Sequence, residues 1–176
     1  LVGALGAALC TMVGNYTVGK KKYAEVEEDV KGLMARAEDI RARLLALVDA
    51  DAEAFEPLSK AYAIPKDDPN REAVMENCLR DAAATPMAIL RLSCEAIDLH
   101  REMLDKGSVI MLSDVGTGVI FCQSALYGAA LNVRVNTKSM TDRTFAQAMD
   151  EEVDALVKQY GAIARQVYDA VLGRFV

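Results

Sequence analysis

Three closely spaced carboxylates, Asp49, Asp51 and Glu53, are the first residues of the sequence that could do chemistry. At about 100° per residue on a helix, Asp49 and Glu53 share one face, whereas Asp51 falls on an apolar stripe. That stripe is formed by Leu44, Val48 and Phe55. Because an isolated buried charge is costly, Asp51 must find a partner or ligand or shift its pKa, and we predict a functional role for it ahead of a structural salt bridge. We expect Glu53 to be solvated, while Asp49 could be solvated or contact a substrate.

The stretch Ser113–Asn136 has Asp114 at its start and two asparagines, Asn132 and Asn136, one turn apart at its end. Between Asp114 and Arg134 it carries no charge and many small residues, which predicts a helix packed closely against other backbones. Its polar ends could be helix caps or could contact a polar ligand. About 18 helical residues, or about 27 Å, separate Asp114 from Asn132. The two ends can therefore contact the same small ligand only if that ligand lies between two subunits, one of which supplies its Asp114 end and the other its Asn132 end.

The other titratable and nucleophilic residues give weaker signals. Lys20, Lys21 and Lys22 form either a solvated helix end or a grip for an anionic tail. The single histidine, His100, stands in a charged stretch and is predicted to lie on the surface. The four cysteines are isolated, which argues against a zinc site or a disulfide framework and favours buried free thiols in a reducing cytoplasm. No metal is expected.

The hydrophobic pattern that must position these residues is helical throughout. Alanine, leucine and methionine carry most of the 52% hydrophobic content, only 6% of residues are aromatic, and no segment reads convincingly as a strand. We predict an all-α fold, a single-domain bundle of about five long helices over residues 1–176. Pro86 should kink the third helix, and Ser113 should cap the fourth. The predicted helices are Leu1–Val18, Tyr23–Tyr62, Asn70–Asp105, a fourth from Ser113 to Asn132 or slightly beyond, and Thr144–Phe175.

Charge and hydropathy exclude two classes of partner. A formal net charge of -6 with scattered Lys and Arg argues against a nucleic-acid partner. The apolar run Leu1–Val13 is too short to span a membrane and lacks a basic flank before it, so we interpret it as part of a buried helix. We expect an acidic cytoplasmic protein whose natural N-terminus lies upstream of Leu1.

Six short segments, taken in their order along the chain, carry a family resemblance. They are LVGALGAALCTMVGNYTVGKKKY, LVDADAEAF, IPKDDPN, ATPM, LSDVGTGV and ALNVRVNTKSMTD. Together they resemble the cyclodeaminase/cyclohydrolase family, which comprises the C-terminal domain of formiminotransferase-cyclodeaminase and stand-alone methenyltetrahydrofolate cyclohydrolase relatives. The resemblance covers essentially the whole chain. It implies an all-helical homodimer that binds tetrahydrofolate derivatives at the subunit interface, with a glycine-rich segment that here would lie before Leu1.

The resemblance also implies chemistry at a folate-bound carbon. A cyclodeaminase converts 5-formiminotetrahydrofolate into 5,10-methenyltetrahydrofolate and ammonia, whereas a cyclohydrolase adds water to the methenyl carbon and gives 10-formyltetrahydrofolate. Both reactions pass through a tetrahedral carbon between N5 and N10 and move protons near a cation, which carboxylates can serve without a metal. We expect the cyclodeaminase, with the cyclohydrolase as the alternative. A non-catalytic helical oligomerisation module is the second alternative.

The resemblance leads to a hypothesis for the roles of the residues singled out above. Asp51 and Asp114 would be the principal acid–base or electrostatic residues, and Asp142 a weaker candidate. The asparagines would orient the pterin or the reacting nitrogens, and the lysines would attract the glutamate tail. The expected substrate-binding residues are Asn132, Asn136, Asp49, Lys20, Lys21 and Lys22.

Overall fold

A computed structural model describes residues 1–176 and contains five α-helices and no strand. The helices are α1 Val2–Asn15, α2 Glu27–Ala61, α3 Arg71–Lys106, α4 Leu112–Thr137 and α5 Arg143–Leu172. Short 3-10 helices, Lys21–Val26 and Val109–Met111, precede α2 and α4. The prediction of an all-helical fold with about five long helices is therefore confirmed.

The turn after α1 differs from the prediction. α1 ends at Asn15, about one turn early, and α2 begins about one turn late, after a 3-10 helix. The hydroxyl of Thr17 donates to the Val13 carbonyl at 2.7 Å and accepts from the backbone N–H of Ser108 at 2.8 Å. Gly19 then adopts a φ of 75°, which glycine reaches without steric cost. These contacts tie the turn to the end of α3, so the chain leaves the helix there.

α3 matches its predicted bounds to within one residue, whereas α4 starts before Ser113 and extends past Asn132. α3 runs through Pro86 as one continuous helix. α4 begins at Leu112 and continues to Thr137, more than one turn past Asn132. Its N-cap is Met111, and Ser113 lies inside the first turn, so the predicted capping role of Ser113 is wrong. The reason is that the preceding 3-10 helix leads directly into α4 and starts the helical backbone earlier.

α4 is the central helix and packs against α1, α3 and α5. A Cβ atom at Gly6 of α1 would lie 2.9 Å from the carbonyl oxygen of Gly118 in α4, so the two backbones meet too closely for a larger residue. The predicted close approach of small residues is thus confirmed at this crossing. At Gly128, however, a Cβ atom would meet nothing within 4 Å. That side of α4 is uncovered in a single chain.

Two hydrophobic clusters hold α2 at its two ends. The main core includes α2 residues from Val30 to Leu44, and a smaller cluster holds its end through Leu58. The smaller cluster comprises Leu58, Leu79, Ala82, Ala83, Met140 and Ala146. Between the two clusters the middle of α2 is mostly exposed, and Val48 and Phe55 are 49% and 56% exposed. α2 therefore bridges the two clusters with a segment whose apolar stripe is uncovered.

The segment Val109–Thr137, which is α4 with its preceding turn, is long and apolar enough to cross a membrane by length and composition alone. Within its most apolar window, 50% of the residues are buried inside the protein. The central helix of a packed bundle has the same hydropathy, because its apolar side chains contact the surrounding helices. Hydropathy alone therefore does not mark this helix as a membrane span.

Candidate active site

An open groove runs between the middle of α2 and the uncovered side of α4, and its volume is about 220 Å³. We call it the α2–α4 groove. The residues that line it include Val48 and Asp51 of α2, Pro86 and Ile89 of α3, and Ser124, Gly128 and Asn132 of α4. Asp51 and Asn132, which lie far apart in the sequence, are thus brought to one site. A carboxylate, a carboxamide and apolar walls suit a flat, polar-edged ligand.

Asp51 occupies this groove but is exposed, not buried. The sequence placed it on a buried apolar stripe, and this expectation is wrong because the stripe leaves the core after Leu44. No cation pairs with the Asp51 carboxylate. The carboxylate is therefore available to a ligand or to solvent. Asp49 is also exposed, but it does not line the groove.

The two asparagines near the end of α4 have different surroundings. The Asn132 side-chain nitrogen donates to the Gly128 carbonyl at 3.0 Å, and Asn132 lines the α2–α4 groove. The Asn136 nitrogen donates to the carbonyl of Asn132 at 3.0 Å and to the carbonyl of Ala82 in α3 at 3.2 Å. Asn136 is absent from the groove lining. Asn132 therefore faces a possible ligand, whereas the Asn136 amide is engaged in joining two helices.

Asp114 lies at the opposite end of α4, as the length of the helix requires. It is half-buried in the first turn, and the Ser113 hydroxyl lies 3.4 Å from its carboxylate. It makes no capping hydrogen bond, since the cap position is occupied by Met111. A carboxylate in the first turn is stabilised by the positive end of the helix dipole. Within one chain, Asp114 and the α2–α4 groove are not brought together.

The lysine run lies near the same end of α4 as Asp114. Lys20 is exposed. The 3-10 helix that begins at Lys21 is tied to the 3-10 helix before α4, because the Tyr23 hydroxyl accepts from the backbone N–H of Val109 at 3.1 Å. The ammonium of Lys22 lies 5.4 Å from the centre of the Tyr23 ring. None of the three lysines forms an ion pair with a carboxylate of its own chain. This end of the molecule therefore presents unpaired positive charge.

Asp142, the weaker catalytic candidate, is engaged in holding the start of α5. It is the N-cap residue, and its carboxylate accepts from the backbone N–H of Phe145 at 3.0 Å. The second carboxylate oxygen accepts from the Arg80 guanidinium at 2.6 Å. The Phe145 N–H, together with Arg80, lowers the pKa of Asp142 below its ordinary value. These contacts give the Asp142 carboxylate a structural role at the start of α5.

A second groove lies between the start of α4 and the end of α5, with a volume of about 310 Å³, and was not predicted from the sequence. We call it the α4–α5 groove. Its lining is largely apolar and includes Ser113, Thr117, Ile120, Phe121, Tyr168 and Leu172. Two exposed apolar residues, Leu131 and Val135, stand at the other end of the same helix. The uncharged sequence between Asp114 and Arg134 was the available signal for this uncovered face.

His100 is buried at 0% exposure, so the prediction of a surface histidine is wrong. Its charged sequence neighbours lie on other sides of α3, while Ile97 and Met103, three residues away on either side, are also fully buried. That spacing of three residues was the signal for its position in the core. Burial lowers the pKa of His100 to about 4.

The cysteines are free, and three of them are buried, as predicted. Burial raises the pKa of the Cys10 and Cys94 thiols to about 12, so neither is a thiolate nucleophile near neutral pH. No group of three or more His, Cys, Asp or Glu side chains is arranged to hold a metal ion. The buried thiols and the buried His100 are therefore poor acid–base candidates, and the exposed carboxylates and lysines are the remaining ones.

Comparison with known proteins identifies the family. Residues 1–155 match the family model of formiminotransferase-cyclodeaminase. The chain is 39% identical to methenyltetrahydrofolate cyclohydrolase of Methylorubrum extorquens, over 96% of this chain and 83% of that protein. It is 31% identical to formimidoyltransferase-cyclodeaminase of Sus scrofa, over 97% of this chain and 32% of that protein, so it spans about a third of the pig enzyme. The crystal structure of formiminotetrahydrofolate cyclodeaminase from Thermotoga maritima superposes with a TM-score of 0.91 at 28% identity, over 99% of this chain and 85% of that one. The chain therefore belongs to the formiminotransferase-cyclodeaminase family.

Proposed function

We propose that the chain is a one-carbon folate enzyme and that it hydrolyses 5,10-methenyltetrahydrofolate to 10-formyltetrahydrofolate. The observation that carries this proposal is the 39% identity to a methenyltetrahydrofolate cyclohydrolase of which the chain covers 83%. The long formimidoyltransferase-cyclodeaminases, in contrast, match the chain over about a third of their length. The cyclohydrolase reaction is therefore preferred over the cyclodeaminase reaction expected from the sequence.

The α2–α4 groove offers groups suited to that hydrolysis. Water adds to the cationic methenyl carbon and forms a C–O bond, and Asp51 is placed to accept the proton that the water loses. The bond from that carbon to N5 then breaks, its electron pair goes to N5, and N5 takes the remaining hydroxyl proton. One proton is released overall. Val48, Pro86 and Ile89 supply apolar surface for the pterin ring, and the Asn132 carboxamide can bind its polar edge.

A second copy of the chain is needed to complete this site. The α2–α4 groove, at about 220 Å³, is smaller than a site that encloses a drug-sized ligand, which takes roughly 300–1,000 Å³. Ser124 lies midway between two features of the uncovered face of α4: the exposed Leu131 follows it by about two turns, and Thr117, which lines the α4–α5 groove, precedes it by about two turns. An antiparallel pair of α4 helices around a two-fold axis would seat Leu131 of each copy in the groove of the other.

This pairing brings the two separated sets of candidate residues to one place. The antiparallel arrangement sets Asp114 of the second copy beside the Asn132 end of α4, near Asp51. Asp114 would then stabilise the cationic methenyl group. The unpaired lysines Lys20–Lys22 lie at the same end as Asp114 and would attract the glutamate tail. The proposed enzyme is thus a homodimer with two equivalent sites.

The second candidate is formiminotetrahydrofolate cyclodeaminase, and the observation that favours it is the TM-score of 0.91 with the Thermotoga maritima enzyme. Its chemistry uses the same carbon, but N10 attacks a formimino group and ammonia leaves. Assays of methenyl hydrolysis and of ammonia release from 5-formiminotetrahydrofolate, run on the same preparation, separate the two. Faster hydrolysis supports the proposal, and faster ammonia release favours the second candidate.

The same preparation also tests the non-catalytic alternative. A reduced folate that binds the native state raises its melting temperature, because the unfolded chain does not bind it. Turnover of neither substrate, together with no thermal shift on addition of 10-formyltetrahydrofolate, would reject both enzymatic functions.

A further inference from the structure

One carbonyl group of α3 is satisfied from outside its own helix. Pro86 has no backbone N–H, so the carbonyl of Ala82, four residues earlier, lacks its usual helical hydrogen bond. The side-chain nitrogen of Asn136 in α4 donates to this carbonyl at 3.2 Å, in a partly buried position. A buried carbonyl without a partner is costly, so this contact fixes where the Pro86 turn of α3 sits against α4.

The same nitrogen also acts on α4 itself. It donates to the carbonyl of Asn132 at 3.0 Å, so the two hydrogens of the Asn136 amide serve two carbonyls, one on each helix. Pro86 and Asn132 both line the α2–α4 groove, whereas Asn136 does not. A single amide therefore links two walls of the groove from behind.

We propose that Asn136 is a positioning residue, which sets the distance between the Pro86 and Asn132 walls of the groove for a reduced pterin. This inference rests on the proposed function of the groove and assigns Asn136 a different role from the direct substrate contact expected from the sequence. The overall packing of the two helices does not depend on this link, because Leu90 of α3 and Val133 of α4 are fully buried in the same core. Loss of the link shifts the walls and leaves the fold in place.

Pro86 gives the inference a specific test. In the P86A variant, residue 86 regains an N–H that can donate to the Ala82 carbonyl, so the Asn136 amide is no longer required there. We expect Asn136→Leu to raise the KM for 5,10-methenyltetrahydrofolate by at least about fivefold, with a smaller effect on kcat. In the P86A background the same change should raise KM by less than about twofold relative to P86A alone.

Two matched controls use residues outside the groove. Pro57 is also a proline within a helix but is exposed, so Pro57→Ala should not change the effect of Asn136→Leu. Asn77 is an exposed asparagine of α3, and Asn77→Leu should leave KM unchanged. Asn136→Asp, which keeps the shape of the side chain but removes both donors, serves if the leucine variant does not fold.

The outcomes separate this inference from the proposed function. A lower melting temperature with unchanged KM, or an equal rise of KM in both backgrounds, would overturn the positioning role while leaving the function intact. Absence of wild-type turnover and of a thermal shift with 10-formyltetrahydrofolate would reject the proposed function, and the positioning role with it. A rise of KM that is suppressed by Pro86→Ala supports both.

Discussion

The Nε2 atom of His100 lies 3.0 Å from the carbonyl oxygen of Gly6, which ties α3 to α1 inside the core. The other ring nitrogen, Nδ1, is buried without a hydrogen-bond partner. A neutral ring with its proton on Nε2 fits this environment, because Nε2 can then donate to Gly6 and no charge is buried. Burial accordingly lowers the pKa of His100 from 6.5 to about 4.

This arrangement predicts that the protein loses stability in mild acid. The unfolded chain protonates His100 near its ordinary pKa, whereas the folded chain does not until about pH 4. The stability that comes from keeping this ring neutral is therefore complete above about pH 6.5, and it is lost as the pH falls toward 4. Between about pH 7.5 and about pH 5 the free energy of unfolding should fall by about 2 kcal/mol. Urea unfolding at the two pH values measures this. His100→Gln should flatten the dependence, since the chain has only one histidine; an unchanged slope would contradict the assignment.

The position of the His100 ring predicts that Gly118 cannot be replaced by a larger residue without loss of stability. A Cβ atom there would lie 2.6 Å from Nε2 of His100, and the buried ring has no room to move. Gly118→Ala should lower the free energy of unfolding by about 1–3 kcal/mol, the usual cost of overpacking a core. At the exposed Gly32 a Cβ atom meets nothing within 4 Å, so Gly32→Ala should raise it by up to about 1 kcal/mol. If the two changes alter the free energy of unfolding equally, crowding against the His100 ring does not restrict residue 118.

The sequence predicted best those features that depend on local pattern. The helices follow from apolar residues at helical spacing, and the close approach at Gly118 follows from small residues in an uncharged stretch. Asp51 was misjudged because the apolar stripe of α2 continues in sequence after the core that would cover it has ended. Only the tertiary structure shows where along α2 the core ends.

Long-range contacts account for the other differences. The charged neighbours of His100 suggested a surface position, but burial is decided by the face of α3 that meets α1 and α4. Pro86 was predicted to kink α3, but the sequence did not show that Asn136, 54 positions from Ala82, donates to the carbonyl that Pro86 leaves free. Such contacts could not be predicted from one sequence, since neither residue nor its sequence neighbours indicate which distant residue it will contact.

Asp142→Ala should reduce stability without reducing turnover. Removing the carboxylate takes away the N-cap hydrogen bond to Phe145 and the ion pair with Arg80, and loss of an N-cap weakens the first turn of a helix. We expect the melting temperature to fall by a few degrees, measured by circular dichroism. The specific activity of the folded fraction should stay within about twofold of the wild type, since no proton-transfer role is removed. A large loss of kcat with an unchanged melting temperature would instead support a catalytic Asp142.

Leu131→Glu should separate the proposed dimer into folded monomers. Leu131 is 65% exposed in a single chain, so a charge there costs the monomer little, whereas it would be buried in the groove of a second copy. Light scattering after size exclusion should give one copy in place of two, with unchanged helicity and lost turnover. Val74→Glu changes an exposed apolar residue near the start of α3 and should keep the dimer. A Leu131→Glu protein that stays dimeric would contradict the proposed α4 pairing.

Asp51→Asn and Asp114→Asn should each reduce turnover strongly while changing the melting temperature little. Neither carboxylate forms an ion pair or caps a helix in the single chain, so their amides should be tolerated by the fold. General acid–base catalysis contributes roughly 100- to 10,000-fold, and a loss of kcat of at least about 100-fold is expected where the carboxylate transfers a proton. Glu53→Gln, two residues beyond Asp51 on the exposed part of α2, is the matched control and should keep full activity. Near-normal turnover of Asp51→Asn would remove it as the proton acceptor, and lost stability with preserved specific activity would make Asp114 a structural residue of the first turn of α4.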